Sequence, residues 1–327
     1  MKKYSHQALN IQSSSDFEEQ ALATFRFQYA NVSIYREFVD LLGINAPHIN
    51  SISKIPFLPI SIFKRHAVIT DGLDSDILFK SSGTSGMERS QHFVHSLDVY
   101  RESFQKGFHY FYGDITQYTI LALLPSYLEQ GESSLVCMVD QLINDSQSPD
   151  SGFYLDTYSD LIKKLVELDQ KGEKTILLGV SYALLDLIEQ HDFNLKNTII
   201  METGGMKGRR KEMVKEELHQ VLMNGFGVSA IHSEYGMTEL LSQGYSKGNG
   251  IFETPPWMKI SIRDATDPLS FVAENQSGGI NVIDLSNYYS CSFIATQDLG
   301  KMHSPTTFSV LGRFDHTDVR GCNMLLA

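Results

Sequence analysis

Apolar and polar residues recur at helical spacing near the start of the chain and again after residue 95. Residues 16–43 predict one or two helices, and residues 96–112 predict another. Residues 44–66 lie between them and contain three prolines, so we expect this segment to be mostly extended.

The middle of the chain alternates between short apolar runs and longer amphipathic segments. Strands are predicted at residues 118–125, 174–180, 197–205 and 228–236, and helices at 157–172, 181–192 and 209–227. The serine-rich residues 144–152 predict a surface loop. This order is typical of a mostly parallel sheet with helices on its faces.

After Pro255 and Pro256 the pattern changes to strands separated by turn residues. The stretches are "WMKISIRDA", "GGINVIDLSN", "CSFIATQDLG" and "TFSVLGRFDHT". We therefore expect an α/β protein with a small C-terminal β subdomain. Residues 1–327 would form a single domain, with an α/β body at 1–255 and a β-rich part at 256–327.

Composition narrows the class of protein. The chain has a formal net charge of −12, which argues against non-specific binding to nucleic acid or to anionic lipid. No apolar run approaches the roughly 18 residues that a membrane span needs, and the N-terminus lacks the apolar core of a signal peptide. Its three cysteines form no CxxC motif. We expect a cytoplasmic protein with no membrane span and no nucleic-acid partner.

The segment "SSGTSG" at residues 81–86 combines two glycines with four hydroxyl side chains. Two interpretations stay open. Glycine and serine favour ordinary turns. Alternatively, Ser82, Gly83, Thr84, Ser85 and Gly86 can surround a polyanion with N–H and hydroxyl donors. The segment is not a Walker A loop, because G-x-x-x-x-G-K-[ST] is absent.

Candidate ligand-binding residues follow two predicted strands of the parallel sheet, where such sheets bind ligands. Gly204 and Gly205 end one strand, and the segment "SEYGMTEL", which contains Tyr235, Thr238 and Glu239, ends the next. A tyrosine can pack on a planar base, a threonine can bind an oxyanion and a glutamate can bind a hard cation. The alternative is a strand-to-helix turn capped by Thr238 or Ser233.

Three further candidates lie in the C-terminal part. Asp298 is predicted at a strand end, where its carboxylate could accept ribose hydroxyls or form an Asx turn. Arg313 could bind ribose or phosphate, or pair with Asp315 or Asp318. Cys322 lies near Arg320, which favours the nucleophilic thiolate; the alternative is a small buried apolar residue.

The order of these motifs resembles that of the adenylate-forming (AMP-forming) ligases, which include the phenylacetate-CoA ligases. The motifs "PFLPISIFK", "SSGTSG", "METGGMKGRR", "HSEYGMTELLSQ" and "GRFDHTDVRGCNM" are most similar to those of the acyl-protein synthetases of bacterial luminescence fatty-acid reductases. The resemblance implies the large-domain fold of that superfamily. The chain ends at Ala327, so we expect that fold without the usual C-terminal lid and its catalytic lysine.

The resemblance also implies a role for each matching residue. Ser82 to Gly86 would hold the β- and γ-phosphates of ATP, and Gly204 and Gly205 would flank the adenine and the acyl pocket. Tyr235 would pack on adenine, Thr238 would bind the α-phosphate and Glu239 would bind Mg²⁺. Asp298 would bind the ribose hydroxyls, Arg313 would support the ribose or phosphate, and Cys322 would accept the acyl group.

The implied activity is ATP-dependent conversion of a fatty or aryl carboxylic acid into an acyl-adenylate. The acyl group would pass to Cys322 and then to a partner protein such as a reductase or a carrier protein. Two alternatives stay open: direct transfer to CoA or carrier phosphopantetheine, and a nucleotide-binding regulatory subunit without catalysis.

Overall fold

The computed structural model describes residues 8–82, 88–124, 131–154, 157–204, 210 and 213–314. Two compact units are present. The first combines the described parts of Met1–Asp76, Ser90–His95 and Pro256–Ala327, and the second those of Ile77–Arg89 and Ser96–Pro255. The single-domain arrangement inferred from the sequence stays a prediction.

Seven α-helices lie in the described residues. They are α1 (Ser14–Asn31), α2 (Ser33–Leu41), α3 (Leu97–Tyr112), α4 (Ser134–Ser146), α5 (Tyr158–Lys171), α6 (Ser181–Ile188) and α7 (Lys215–Phe226). Five of these segments follow the predicted helices closely, whereas α7 begins six residues later than expected, at Lys215 rather than residue 209. Helix α4 was not predicted.

The described residues also form fourteen strands. They are β1 (Leu58–Pro59), β2 (Ile77–Lys80), β3 (Gln91–Val94), β4 (Thr119–Leu123), β5 (Gly152–Phe153), β6 (Thr175–Val180), β7 (Thr198–Thr203), β8 (His232–Tyr235), β9 (Gly244–Ser246), β10 (Ile251–Glu253), β11 (Met258–Arg263), β12 (Ser277–Asp284), β13 (Phe293–Ser304) and β14 (Thr307–Arg313).

The second unit is built on a mostly parallel sheet, as the sequence predicts. Its strand order is β10-β9-β8-β7-β6-β4-β5. Strands β5, β4, β6, β7 and β8 are parallel, and β9 and β10 are antiparallel to their neighbours. Every residue of β4 and β6 is buried, which explains why both strands are continuous apolar runs in the sequence.

The first unit contains the antiparallel sheet β11-β12-β13-β14, with β1 parallel to β13. Helix α1 begins at its N-cap Ser13 and buries Phe17, Ala21 and Phe25. The amide nitrogen of Gln28, on the same helix, donates to the backbone oxygens of Asn287 and Tyr288 at 3.0 and 2.8 Å. The N-terminal helix thereby packs with the C-terminal strands.

One sequence expectation is wrong, and a second is confirmed only in part. Residues 44–66 are not mostly extended, because they include three short 3-10 helices, at Ala46–His48, Ile52–Lys54 and Ile60–Lys64. Proline fits the first turn of a helix as well as extended chain, and Pro47 lies in the first turn of the first helix while Pro59 is the N-cap of the third. The predicted loop at 144–152 is present at 147–151, but residues 144–146 end α4 and Gly152 begins β5, which pairs with the fully buried β4.

Candidate functional site

The carboxyl ends of β7 and β8 lie side by side in the second unit. The two strands pair in parallel, with Met201 opposite His232 and Thr203 opposite Glu234. Gly204 follows β7 with a positive φ of 70°, a conformation that favours glycine. Tyr235 ends β8. The structure therefore brings Gly204 and Tyr235 to the same edge of the parallel sheet, where such sheets bind ligands.

On one face of the sheet, this edge carries a buried carboxyl group, that of Glu234. The Thr203 hydroxyl donates to Glu234 Oε2 at 2.6 Å. Burial raises the pKa of Glu234 to about 7. A Cβ on Gly236 would overlap Glu234 Oε1 and lie 3.4 Å from Gln243 Cγ. Glycine at position 236 thus lets the chain pass close to the buried carboxyl group.

The opposite face carries a second buried carboxyl group, Glu202. Lys215 Nζ lies 2.6 Å from Glu202 Oε1, and His219 Nε2 lies 3.4 Å from the same oxygen. The Ser181 hydroxyl donates to Glu202 Oε2 and to the Gly204 carbonyl. Burial favours the neutral acid, but the Lys215 ammonium and the hydrogen bonds outweigh it and lower the pKa of Glu202 to about 2. These contacts join β7 to α6 and α7.

The segment after β8 holds the other predicted residues of this unit. The Tyr235 ring is mostly buried and contacts the Phe252 ring edge to face, with centroids 6.0 Å apart. The side chain of Glu239 is also buried. The alternative of a strand-to-helix turn here is wrong, because the chain turns instead into β9, which pairs antiparallel with β8.

Two residues that flank the "SSGTSG" segment, Lys80 and Arg89, contact one carboxylate, Glu132. Lys80 Nζ lies 2.5 Å from Glu132 Oε1, and Arg89 Nη1 lies 3.6 Å from Glu132 Oε2. Arg89 also donates to the Ser81 carbonyl. Ser82 is described, whereas Gly83, Thr84, Ser85 and Gly86 lie outside the described residues. Glu132 was not predicted from the sequence, because its contacts with Lys80 and Arg89 are long-range.

In the first unit, Asp298, which is predicted to bind the ribose hydroxyls, lies beside Arg313. Asp298 is directly opposite Arg313 in the β13–β14 ladder. Arg313 Nε lies 3.6 Å from Asp298 Oδ1, with the arginine side chain 86% exposed and the aspartate 14%. The prediction that Asp298 ends a strand is wrong. Strand β13 continues to Ser304 through a register shift after Leu299.

Two other predicted residues, Gly205 and Cys322, lie outside the described residues. Among the described cysteines, Cys291 is fully buried, and burial raises the pKa of its thiol to about 12. Cys137 is half-buried, and burial raises its pKa as well.

Within the described residues, no helix combines the length and apolarity needed to cross a membrane. Among the described residues, no group of three or more histidine, cysteine, aspartate or glutamate side chains could hold a metal ion.

Comparison with solved structures defines the class of the fold. ATP-bound MatB from Rhodopseudomonas palustris matches 75% of this chain and 49% of that chain, with 16% identity and a TM-score of 0.55. 2-Hydroxyisobutyryl-CoA ligase in the postadenylation state, in complex with R3-HIB-AMP, matches 92% of this chain and 68% of that chain, with 11% identity and a TM-score of 0.66. The chain thus has the fold of adenylate-forming ligases and spans about half the length of MatB.

The family follows from the sequence itself. The model of the family described as acyl-protein synthetase, LuxE, matches residues 7–327. The chain belongs to this family. A comparison with curated protein sequences finds no match.

Proposed function

We propose that this protein is an ATP-dependent acyl-protein synthetase that activates a fatty or aryl carboxylic acid as its acyl-adenylate. The observation that carries the proposal is the joint position of Gly204 and Tyr235, with Thr238 and Glu239 close behind, at one carboxyl edge of a parallel sheet in a member of this family. The 2-hydroxyisobutyryl-CoA ligase of similar fold was crystallised with an acyl-adenylate, which supports the same intermediate here.

The contacts proposed for the nucleotide in each unit depend on position and charge. Ser82 to Gly86 would bind the β- and γ-phosphates, Gly204 and Gly205 would flank the adenine and the acyl pocket, Tyr235 would pack on adenine, and Thr238 would bind the α-phosphate. Asp298 would bind the ribose hydroxyls, with Arg313 beside it. The substrate carboxylate then attacks the α-phosphorus, and the bond to pyrophosphate breaks.

The donor chemistry fits Mg²⁺. Magnesium is commonly held by one or two carboxylates together with substrate phosphates and water, so it does not require a cluster of protein ligands. Glu239, in the segment between β8 and β9, supplies one such carboxylate oxygen and is only 5% exposed. Bound Mg²⁺ would neutralise charge on the phosphates.

In the second half-reaction, we propose that the Cys322 thiolate attacks the acyl carbonyl of the adenylate, and AMP leaves. The acyl group would then pass from the thioester to an acyl-accepting protein, such as a reductase or a carrier protein. The other two cysteines are poorer nucleophiles, because burial raises the pKa of Cys291 to about 12 and also raises that of Cys137.

Two assays on the same preparation test this proposal. The first screens carboxylic acids for acid-dependent exchange of pyrophosphate into ATP, and the second follows covalent labelling by the radioactive form of the best acid. Cys322→Ser should abolish the label and retain the exchange. Cys137→Ser, the matched control, should retain both.

The other outcomes separate the alternatives. Unchanged thioester formation on free CoA by Cys322→Ser would indicate direct transfer to CoA. ATP binding without exchange, for any acid, would indicate a regulatory subunit and contradict the proposed catalysis.

A further inference from the structure

The ladder between β12 and β13 is interrupted beside Asp298. Gly279 pairs with Leu299 and Asn281 pairs with Ala295. A single residue of β12, Ile280, is therefore opposite three residues of β13, which are Thr296, Gln297 and Asp298. Such a bulge takes backbone groups out of the regular ladder and changes the direction of a side chain.

The guanidinium of Arg263, on β11, reaches across β12 into this bulge. Its Nη1 donates to the Ile280 carbonyl at 2.7 Å and to Asn281 Oδ1 at 2.9 Å, and its Nη2 donates to the Thr296 carbonyl at 2.5 Å. Buried carbonyls need a hydrogen-bond partner, and the planar fork of arginine can serve several acceptors at once. Arg263 thus replaces ladder hydrogen bonds between β12 and β13.

Two neighbouring residues are matched to this arrangement. A Cβ on Gly279 would overlap Arg263 Cζ and lie 2.7 Å from its Nε, so the absence of a side chain makes room for the guanidinium. The Thr296 hydroxyl donates to the Ile280 carbonyl at 2.9 Å and accepts from the Asp298 N–H at 3.1 Å. The Asp298 backbone is therefore linked through Thr296 to the carbonyl that Arg263 binds.

The same guanidinium contacts the end of the described chain. Its Cζ lies 5.5 Å from the centroid of the Phe314 ring, a cation–π distance. The Phe314 N–H donates to the Gln297 carbonyl, inside the bulge, at 2.7 Å. Arg263 is consequently in contact with both segments that flank the Asp298–Arg313 pair.

We propose that Arg263 is a positioning residue for nucleotide binding, because it fixes the bulge that sets the direction of the Asp298 carboxylate. This inference rests on the proposed function, in which Asp298 binds the ribose hydroxyls. Loss of the guanidinium fork would remove the Arg263 donors from the Ile280 and Thr296 carbonyls. The bulge would then relax, and Asp298 would lose its alignment with the ribose.

The test compares the binding of ATP and of 2′,3′-dideoxy-ATP, which lacks both ribose hydroxyls, by calorimetry. Hydrogen bonds to a charged group change affinity by tenfold or more, so the wild type should prefer ATP by at least about tenfold. Arg263→Lys retains the charge and loses the fork. It should reduce the preference to about threefold or less by weakening ATP alone, whereas a merely structural defect would weaken both nucleotides equally.

Three variants complete the design. Asp298→Asn removes the carboxylate and should also abolish the preference. Arg36→Lys is the matched control at a surface arginine, which donates to the Ala30 carbonyl and lies 3.9 Å from Asp71, and it should behave as wild type. Gly279→Ala places a Cβ where the Arg263 guanidinium lies and should displace it, and it replaces Arg263→Lys as the test variant if that protein does not fold.

A wild-type preference in the test variant, together with its loss in Asp298→Asn, would overturn the role of Arg263. No preference in the wild type, or an unchanged preference in Asp298→Asn, would overturn the ribose role of Asp298 and with it the inference. The proposed catalysis is judged separately, by acid-dependent pyrophosphate exchange.

Discussion

At the scale of a single residue, the buried carboxyl group of Glu234 makes the free energy of unfolding depend on pH. Burial raises the pKa of this carboxyl from 4.5 to about 7, so the folded state retains a proton that the unfolded chain has released. The contribution of Glu234 to stability therefore falls as pH rises from about 5 through 7. Glu234→Gln removes the titrating group and places a neutral amide beside the Thr203 hydroxyl.

Relative to wild type, Glu234→Gln should gain about 2 kcal/mol in the free energy of unfolding between pH 5 and pH 8. Urea denaturation of both proteins at several pH values measures this difference. A difference that stays constant over the range would mean that Glu234 is already ionised in the folded protein.

At the scale of elements, the ion pair of Glu202 with Lys215 joins β7 to α7. The nitrogen–oxygen distance is 2.6 Å in this pair and also in the surface pair Lys171–Glu167. The two pairs differ in burial, because the Glu202 side chain is only 2% exposed whereas that of Glu167 is 49% exposed. Removing one partner of a buried pair leaves a charge without compensation. Lys215→Met should therefore lower the free energy of unfolding by about 3–5 kcal/mol.

Two further variants control this measurement. Lys171→Met breaks the exposed pair and should leave the denaturation midpoint unchanged. Glu202→Gln combined with Lys215→Met should recover part of the lost stability, because the buried charge is gone. Equal effects of Lys215→Met and Lys171→Met would show that burial does not decide the strength of these pairs.

Elements were predictable from sequence where their signal is local. The buried β4 and β6 are continuous apolar runs, and α5 is capped by Gly172, which has a positive φ of 75°. Helix α4 contains the apolar run "LVCMV", which is also typical of a strand. Its N-cap, Ser133, is the local feature that indicates a helix. The bulge at Thr296–Asp298 depends on Arg263, more than thirty residues earlier, so no local pattern in the sequence indicates it.

The same distinction applies to the site. The motifs identified Tyr235, Thr238 and Glu239 because these residues are close together in the sequence. Glu132 contacts Lys80 and Arg89, and Lys215 contacts Glu202, only after folding. Residues that bind a ligand could thus be proposed from sequence, whereas the residues that hold them in place required the structure.

At the scale of the whole molecule, a protein of net charge −12 is proposed to bind the polyanion ATP. Long-range repulsion opposes that binding, and Mg²⁺ reduces the charge of the nucleotide. Ligand binding to the folded state raises stability by about 2.7 kcal/mol at one hundred times the dissociation constant. Mg²⁺ and ATP together should therefore raise the unfolding temperature by several degrees, and ATP with EDTA should raise it much less.

The variants separate the metal from the nucleotide in this thermal measurement. Glu239→Gln should lose most of the increment that Mg²⁺ adds and retain the small effect of ATP with EDTA, because only the proposed metal ligand is altered. Asp298→Asn should weaken both effects, because the ribose contact does not depend on the metal. If Glu239→Gln retains the full Mg²⁺ increment, the metal is held by the phosphates and by other oxygen donors, and the role assigned to Glu239 is wrong.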